Sequence, residues 1–470
     1  MSGDDFLENL PKYTAEELRD VIKEQENIEL LNKALSIETD VEKKEIIRQR
    51  IEEIKGRKGY VHKTEERPVE YEIQFIGAGW CGCSQVLNLY KLYRERGEEG
   101  KYKFTLYDLS VDIYKNIRNK GLTEEELKRS EVDVITVRLR GGAGRVSIFA
   151  EAILKHTNHH TRISPATYNF HFNSAGGGTG SRTIPTIIQE MKKKKAEPYH
   201  IAFSVLTSKA GESLNHIYTF PMLNKEADLI ILLENDAIGE NMVNKQIMRI
   251  VDLLNMAREH NVHPQPRDIT DFKTIFRRAG DYDRVRWVIP FIYPLEEEYG
   301  DKDMLPYEGI CEALKNPLVR VDDESIRDCR AAIIIVECPE SHYEKIVEEK
   351  LPDGKTIYQK TEDEIGNILP NLKIGTEANM IFQVVSGKNF CVLVLLYGIF
   401  FKKLKELVDI PDQALEADKN AWHARIDEDL KRLDTRRLNI TLQESEIERI
   451  KERVDRLEFV ADFRREYGRR

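Results

Sequence analysis

Residues 172–186 read FNSAGGGTGSRTIPT, a strand-like run that breaks into glycine at Gly176, Gly177, Gly178 and Gly180 and then turns into a pattern suited to a helix. Ordering three successive glycines is entropically expensive, so such a run is expected only where backbone must approach something closely. Glycine lets neighbouring N–H groups point into one concavity, and a helix start adds partial positive charge. The stretch therefore suits an anion, phosphate first of all. Thr179 and Ser181 bring hydroxyl donors to the same place. A Walker-type GxxxxGK[ST] loop needs a lysine that is not there. Taken singly, the run also reads as a tight turn.

Its surroundings narrow the choice. ATYNFHFNSA (166–175) reads as the strand leading into the glycines, and YEIQFIGAG (71–79), KYKFTLYDL (101–109), VDVITVRLR (132–140), YHIAFSVLT (199–207) and ADLIILLEN (227–235) read as further buried strands. Helical segments such as CSQVLNLYKLYRERG (83–97) separate them. That alternation predicts a mostly parallel sheet with helices on both faces. Several of these strands end in glycine-rich loops or at a lone carboxylate, and such loops gather at the carboxyl edge of an open α/β sheet, where ligands bind. GAGWCG (77–82) comes close to a dinucleotide fingerprint, a form common by chance. Several glycine loops after successive strands are better explained by one polyphosphate held from several sides.

The rest of the chain sets bounds. At 470 residues there is room for two domains plus extensions. A net charge of −10 argues against general affinity for nucleic acid or an anionic membrane. No long apolar run or signal-like amino terminus is present, and six scattered cysteines make no disulfide framework, so a cytoplasmic protein is expected. Neither Cys81-Gly-Cys83 nor the cluster His156, His159 and His160 has partners at metal-binding spacing, and no metal site is expected from them.

Five segments follow. Residues 1–70 read as a charged helical extension, opened by Thr14-Ala-Glu-Glu17, a stretch of capping-box type, and ended by Gly56 and Gly59. Residues 71–240 form the nucleotide-binding domain and 241–265 a long connecting helix, whose apolar positions are too many for one stripe and predict burial. Residues 266–408, with strands VRWVIPFIYP, RAAIIIVECP, ANMIFQVVSG and NFCVLVLLYGI, read as an α+β domain. Residues 409–470 are charged and helical again; Ile447, Ile450, Val454, Leu457 and Ala461 step by 3, 4, 3, 4, which fits a short coiled coil or a helix docked on its own body.

With GGGTGS in place, the remaining motifs follow in an order that resembles the tubulin and FtsZ superfamily of GTP-dependent filament-forming proteins. GAGWCGCSQV (77–86) resembles the first phosphate loop, between tubulin's AGQCGNQI and the FtsZ form GVGGGGSNAV. LYDL (106–109) resembles the second, and GGAGR (141–145) the third, GAGN or GAGA. LLENDAI (232–238) is similar to IDNEAL, DITDFKTIF (268–276) to DFADVRTVM and DLTEF, and ANMIFQVVSGKNFCVLVLLYGI (378–399) to the FtsZ strand pair ANIIFG…VRVTVIATG. The resemblance spans roughly residues 71–400.

It implies an α/β fold of tubulin/FtsZ type: a Rossmann-like GTP-binding domain with a mostly parallel sheet, a long central helix and an α+β second domain, here with helical extensions at both ends. It implies GTP and GDP as ligands, with Mg2+. Gly79, Trp80, Cys81, Gly82 and Cys83 are then expected at the α- and β-phosphates, and Asp108 near the γ-phosphate and its magnesium. Gly176, Gly177, Gly178, Thr179, Gly180 and Ser181 would wrap the β- and γ-phosphates, and Gly142, Ala143, Gly144 and Arg145 the γ-phosphate. Arg145 reads equally as a surface arginine at a helix start. Glu212, in TSKAGES (207–213), matches the ribose loop, Asn235 the guanine contact, and Asn244 a second one, with Asn241 its competitor. Amides suit guanine because each offers both a donor and an acceptor.

In this family the site of one subunit is completed by a loop from the next. Pro266–Phe272 corresponds to that loop, and Asp268 and Asp271 to its two acidic positions, placed to orient or polarise a water for attack on the γ-phosphate. From the residues alone, the pair fits helix capping, with Asp268 as N-cap. The resemblance thus implies a GTPase activated by head-to-tail self-assembly; the competing reading is a non-polymerising GTP-binding regulator whose helical ends bind an adaptor. Arg182 after the signature, bulky Trp80 in the first loop, Pro266 in place of asparagine and the long charged ends depart from the pattern and favour a divergent prokaryotic relative, of the plasmid or phage segregation or archaeal tubulin-like kind.

Overall fold

The computed structural model describes residues 10–22, 28–38, 71–139, 146–207, 211–259, 261–262, 286–297, 299–301, 303–372, 378–385, 390–432 and 442–468, with a few more between 40 and 50. The chain divides into two units, Met1–Glu70 and Tyr71–Arg470. In the first, helices Ala15–Ile22 and Ile28–Ile37 bury Leu18, Ile22, Leu31 and Ala34 together with Leu10, Ile46 and Ile47. Thr14 opens it: its N–H donates to Glu17 Oε2 at 2.8 Å while the Glu17 N–H donates to Thr14 Oγ1 at 3.2 Å. Gly56 and Gly59 lie outside the described residues.

The second unit is organised by one sheet. Its strands are β1 (Ile73–Ala78), β2 (Tyr102–Ser110), β3 (Asp133–Leu139), β4 (Tyr168–Ser174), β5 (Tyr199–Leu206), β6 (Leu229–Glu234), β7 (Asn261–Val262), β8 (Trp287–Tyr293), β9 (Ala331–Pro339), β10 (Ala378–Val385) and β11 (Cys391–Tyr397). Their order is β3-β2-β1-β4-β5-β6-β8-β11-β9-β10-β7. From β3 to β6 every pairing is parallel, in the doubly wound order that reverses between β1 and β4. β6 continues the sheet into β8 through Ile230↔Trp287 and Ile231↔Val288, and β11 then runs antiparallel to both β8 and β9. Strands such as β1, β6, β9 and β11 are buried along their whole length, which explains their predominantly apolar sequences.

Alternate residues serve two cores. Ile76 and Ala78 of β1 face one; Ile73 and Phe75 face the other, where Phe75 and Tyr93 stack at 5.8 Å. Helix α1 (Gly79–Glu95) follows β1, α2 (Ser147–Thr157) follows β3, α3 (Thr179–Lys194) follows β4, α4 (Ser213–Glu226) follows β5, and α5 (Glu240–Glu259) follows β6. The connecting helix α5 buries Val243, Ile247, Ile250, Val251, Leu253 and Leu254 in the α1-side core. Its polar side is tied down too: Gln246 and Arg249 donate to the carbonyls of Leu295 and Pro294, both at 2.6 Å.

The tail folds back on the body. Helices α6 (Asp412–Arg432), α7 (Glu444–Arg456) and α8 (Glu458–Tyr467) pack Trp422, Ile450, Val454, Val460, Phe463 and Tyr467 into the other core, alongside α4. A continuous heptad seam is therefore ruled out. Leu457 adopts a left-handed conformation (φ 47°) that breaks the helix and shifts its phase, leaving Ala461 exposed while Val460 and Phe463 turn inward.

Gly82, in the first turn of α1, is a packing position: a Cβ there would fall inside the Phe172 carbonyl of β4, backbone that has no room to give. Gly82→Ala is expected to lower stability by about 2–3 kcal/mol through overpacking, although helix propensity alone would favour alanine by about 1 kcal/mol. Urea unfolding decides the sign.

Candidate functional site

The carboxyl ends of β1, β2, β4, β5 and β6 surround one cleft of about 400 Å3, located where the strand order reverses. Two helix starts face it without side-chain caps, α1 after Ala78 and α3 after Gly178, so their leading N–H groups are available to a ligand. The two starts touch backbone to backbone. A Cβ on Gly180 would stand 2.5 Å from the Ala78 carbonyl oxygen, and one on Gly79, whose φ is +65°, would stand 2.9 Å from the Gly180 nitrogen. Only glycine permits this approach, which concentrates two sets of free N–H groups in one concavity.

The expected residues divide by position. Gly79, Trp80 and Cys81 line the cleft, as do Gly177, Gly178, Thr179 and Gly180. Trp80 stands 38% exposed beside the opening. Gly82 and Cys83 face the sheet instead; the Cys83 thiol donates to the Gly77 carbonyl at 3.4 Å, and burial together with the neighbouring Asp108 pushes its pKa up. Ser181 is buried and its hydroxyl turns back to the Gly177 carbonyl. Gly176 packs against Thr207, His216 and Glu212. Gly142, Ala143, Gly144 and Arg145 lie outside the described residues, as do Pro266, Asp268 and Asp271.

Asp108 lies near the end of β2 with its carboxylate on the cleft wall, accepting from the Ser110 N–H at 3.0 Å. Burial raises its pKa to about 6 against the opposing pull of the Ser110 and Leu109 N–H groups. Asp112 and Ser110 line the same side, held together by a 3.0 Å hydrogen bond. Across the cleft, Glu212 is buried, lines the wall and accepts from the Thr207 hydroxyl. Asn235 follows β6 and lines the far end, its Oδ1 buried without a protein donor. Asn244 also lines it, accepting from Gln85 Nε2, whereas Asn241 is exposed and not part of the wall.

Two residues of the site region are not signalled by the glycine pattern. Asn215, fully buried on α4, donates to the Gly176 carbonyl at 2.8 Å and accepts from the Ser147 N–H at 2.9 Å, tying the glycine run to the first turn of α2. His216 accepts from the Thr207 N–H and holds the Glu212 carbonyl at 2.8 Å; burial lowers its pKa to about 4 and keeps it neutral. Short polar residues one turn inside a helix look like any helix surface in sequence, and only the fold turns them inward.

An open parallel sheet of this order, with two uncapped helix starts in contact at its switch point, defines an α/β protein with a ligand crevice at the carboxyl edge of its sheet. Residues 72–243 match the model described as "Tubulin/FtsZ family, GTPase domain". The fold is similar to CetZ2 from Haloferax volcanii, solved as a "GTPgS bound protofilament", with 15% identity and a TM-score of 0.52 over 74% of this chain and 99% of that one. It is similar also to CetZ from Methanosaeta thermophila, with 15% identity and a TM-score of 0.53 over 83% of this chain and 99% of that one. At that identity the likeness is one of fold. No curated protein matches the sequence.

Asp108 generates a pH prediction. Its folded pKa is raised to about 6, so its stability contribution is complete below the ordinary aspartate value and is lost as pH rises towards 6. The loss amounts to about 3 kcal/mol. Thermal melts of the ligand-free protein should fall between pH 4.5 and 7 relative to Asp108→Asn, which removes the titration; parallel curves for the two proteins contradict the assignment.

Proposed function

We propose that the chain is a GTPase of tubulin/FtsZ type that binds GTP or GDP in the β1–β6 cleft and assembles head to tail into filaments. The observation that carries the reading is the Gly79–Gly180 contact, which directs the free N–H groups of α1 and α3 at one polyphosphate. Thr179 adds a hydroxyl, Glu212 accepts from the ribose, and Asn235 and Asn244 recognise guanine. The unpartnered Oδ1 of Asn235 supports this last role, because a buried amide oxygen needs a donor that a base edge supplies. The domain boundaries that go with the reading are 1–70 for the helical extension, 71–240 for the nucleotide domain, 241–265 for the connecting helix, 266–408 for the catalytic loop and α+β domain and 409–470 for the tail.

Asp108, Ser110, Asp112 and Thr179, which all line the cleft, offer oxygen donors of the kind a hard divalent cation prefers. Mg2+ held there would neutralise phosphate charge, and its presence would draw the Asp108 carboxyl to its ionised form. The remaining work belongs to the polypeptide. Backbone donors of the glycine run hold the transferred phosphoryl in line, and the loop 266–272 of a neighbouring copy brings Asp271 to orient the attacking water, with Asp268 beside it. A contact of that sort joins two different faces of the molecule and propagates into an open filament. Hydrolysis then weakens the contact that triggered it.

Light scattering and pelleting with GTP, GDP, ATP and a slowly hydrolysed GTP analogue test the reading. Polymer is expected with GTP and the analogue. Asp271→Ala should retain GTP binding, lose about 100-fold or more in turnover, and give filaments that persist. GTP binding with no assembly under any nucleotide would establish the regulator instead.

A further inference from the structure

Helices α2, α3 and α4 pack side by side, and the tail docks on α2 and α4. Glu151 of α2 is buried and takes Arg182 of α3 at 2.9 Å, Lys155 at 2.7 Å and the hydroxyl of Tyr218 from α4. Arg453 of α7 completes the cluster, donating to the Tyr218 hydroxyl at 2.8 Å; both guanidinium groups lie over the Tyr218 ring, at 5.3 and 5.5 Å. Trp422 of α6 and Phe459 of α8 meet the same ring edge-on. Arg182, the residue that departs from the family pattern after GGGTGS, is therefore part of the tail's seat.

A second anchor lies nearer the cleft. Asp418 of α6 is 8% exposed and faces the backbone N–H groups of Leu214, Gly211 and Ser213 at the start of α4; burial raises its pKa, which those donors and Arg425 oppose. Arg425, two turns further along α6, places Nη2 3.2 Å from where a Cβ of Gly211 would be, and Gly211 has φ +80°. Gly211 and Ser213 flank Glu212, whose carboxylate lines the cleft. Helix α6 thus packs against the start of α4, with Asp418 and Arg425 beside the backbone that flanks a cleft-facing carboxylate. A negative charge at a helix start also favours that helix geometry.

We propose that the C-terminal helices are a working part of the nucleotide site, with Asp418 and Arg425 as positioning residues that hold Glu212 against the ribose hydroxyls. The inference rests on the GTP reading above and on Glu212 meeting the ribose. Without Asp418 the start of α4 loses the charge that holds Gly211 in its left-handed turn, and Glu212 loses its aim. The consequence is specific to the sugar, because the phosphate end is built by α1 and α3 and leaves Asp418 out.

Calorimetric titration of the full-length chain with GDP and 2′,3′-dideoxy-GDP tests this. Wild type should bind GDP at least ten-fold more tightly than the dideoxy analogue. Asp418→Ala, Arg425→Gln and, as reference, Glu212→Gln should each bring the two affinities to within about two-fold, while Asp418→Asn, which keeps an acceptor, retains part of the preference. A tail that serves stability alone would lower the melting temperature and weaken both ligands by one factor, and an unchanged GDP-to-dideoxy ratio in folded Asp418→Ala or Arg425→Gln overturns the proposal. If Asp418→Ala does not fold, Asp418→Asn and Arg425→Gln decide by the same ratio. Failure of wild type to bind GDP overturns the nucleotide reading itself, and binding without a hydroxyl preference overturns the ribose contact together with the inference.

Discussion

The cleft depends on the contact between the first turns of α1 and α3. Ala78, Gly79 and Gly180 approach backbone to backbone, at distances a single methyl group would forbid. This contact joins the two strands between which the strand order reverses, so it sets the shape of the cleft as well as its contents. Packing on either side follows from it: Gly82 brings α1 down on β4, and the two cores fill behind the sheet. The free N–H groups that result are a cost until an anion takes them, which is why such a junction points to a ligand.

Around that junction the protein distributes charge by depth. Asp108 and Glu212 are both buried in the wall, one with its pKa raised by desolvation and one satisfied by the Thr207 hydroxyl. Further back, Glu151 gathers two arginines, a lysine and a tyrosine hydroxyl, and burial raises the Tyr218 pKa so that it remains a donor. An isolated carboxylate at that depth would be costly, and the surrounding cations and hydroxyl offset the cost. Another buried acid, Glu234 at the end of β6, takes Arg320 and links the parallel half of the sheet to the mixed half.

Much of this was visible in the chain as written. The strands of 71–79, 166–175, 199–207 and 330–339 are legible because burial on both faces enriches them in apolar and aromatic residues. The glycine run is legible because four glycines near a helix start have few other uses. Asn215 and His216 were not, since a buried polar residue inside a helix carries no local mark and is recognised only by what meets it. The tail misled in one respect. Its heptad spacing is real, but a left-handed residue at Leu457 resets the helical phase, and a periodicity argument has no view of a single backbone angle.

The amino-acid sequence by itself determined the sheet, the order of its loops and the presence of a glycine run at a helix start, because these depend on local pattern and on the steric freedom of glycine. The tertiary structure alone decided which glycines face the cleft and which serve packing, that Asn244 and not Asn241 lines it, and that Asp418, Arg425 and Arg453 reach helices more than 200 residues earlier in the chain. Those relations are set by long-range packing of helix on helix, where distance in space is unrelated to distance along the chain.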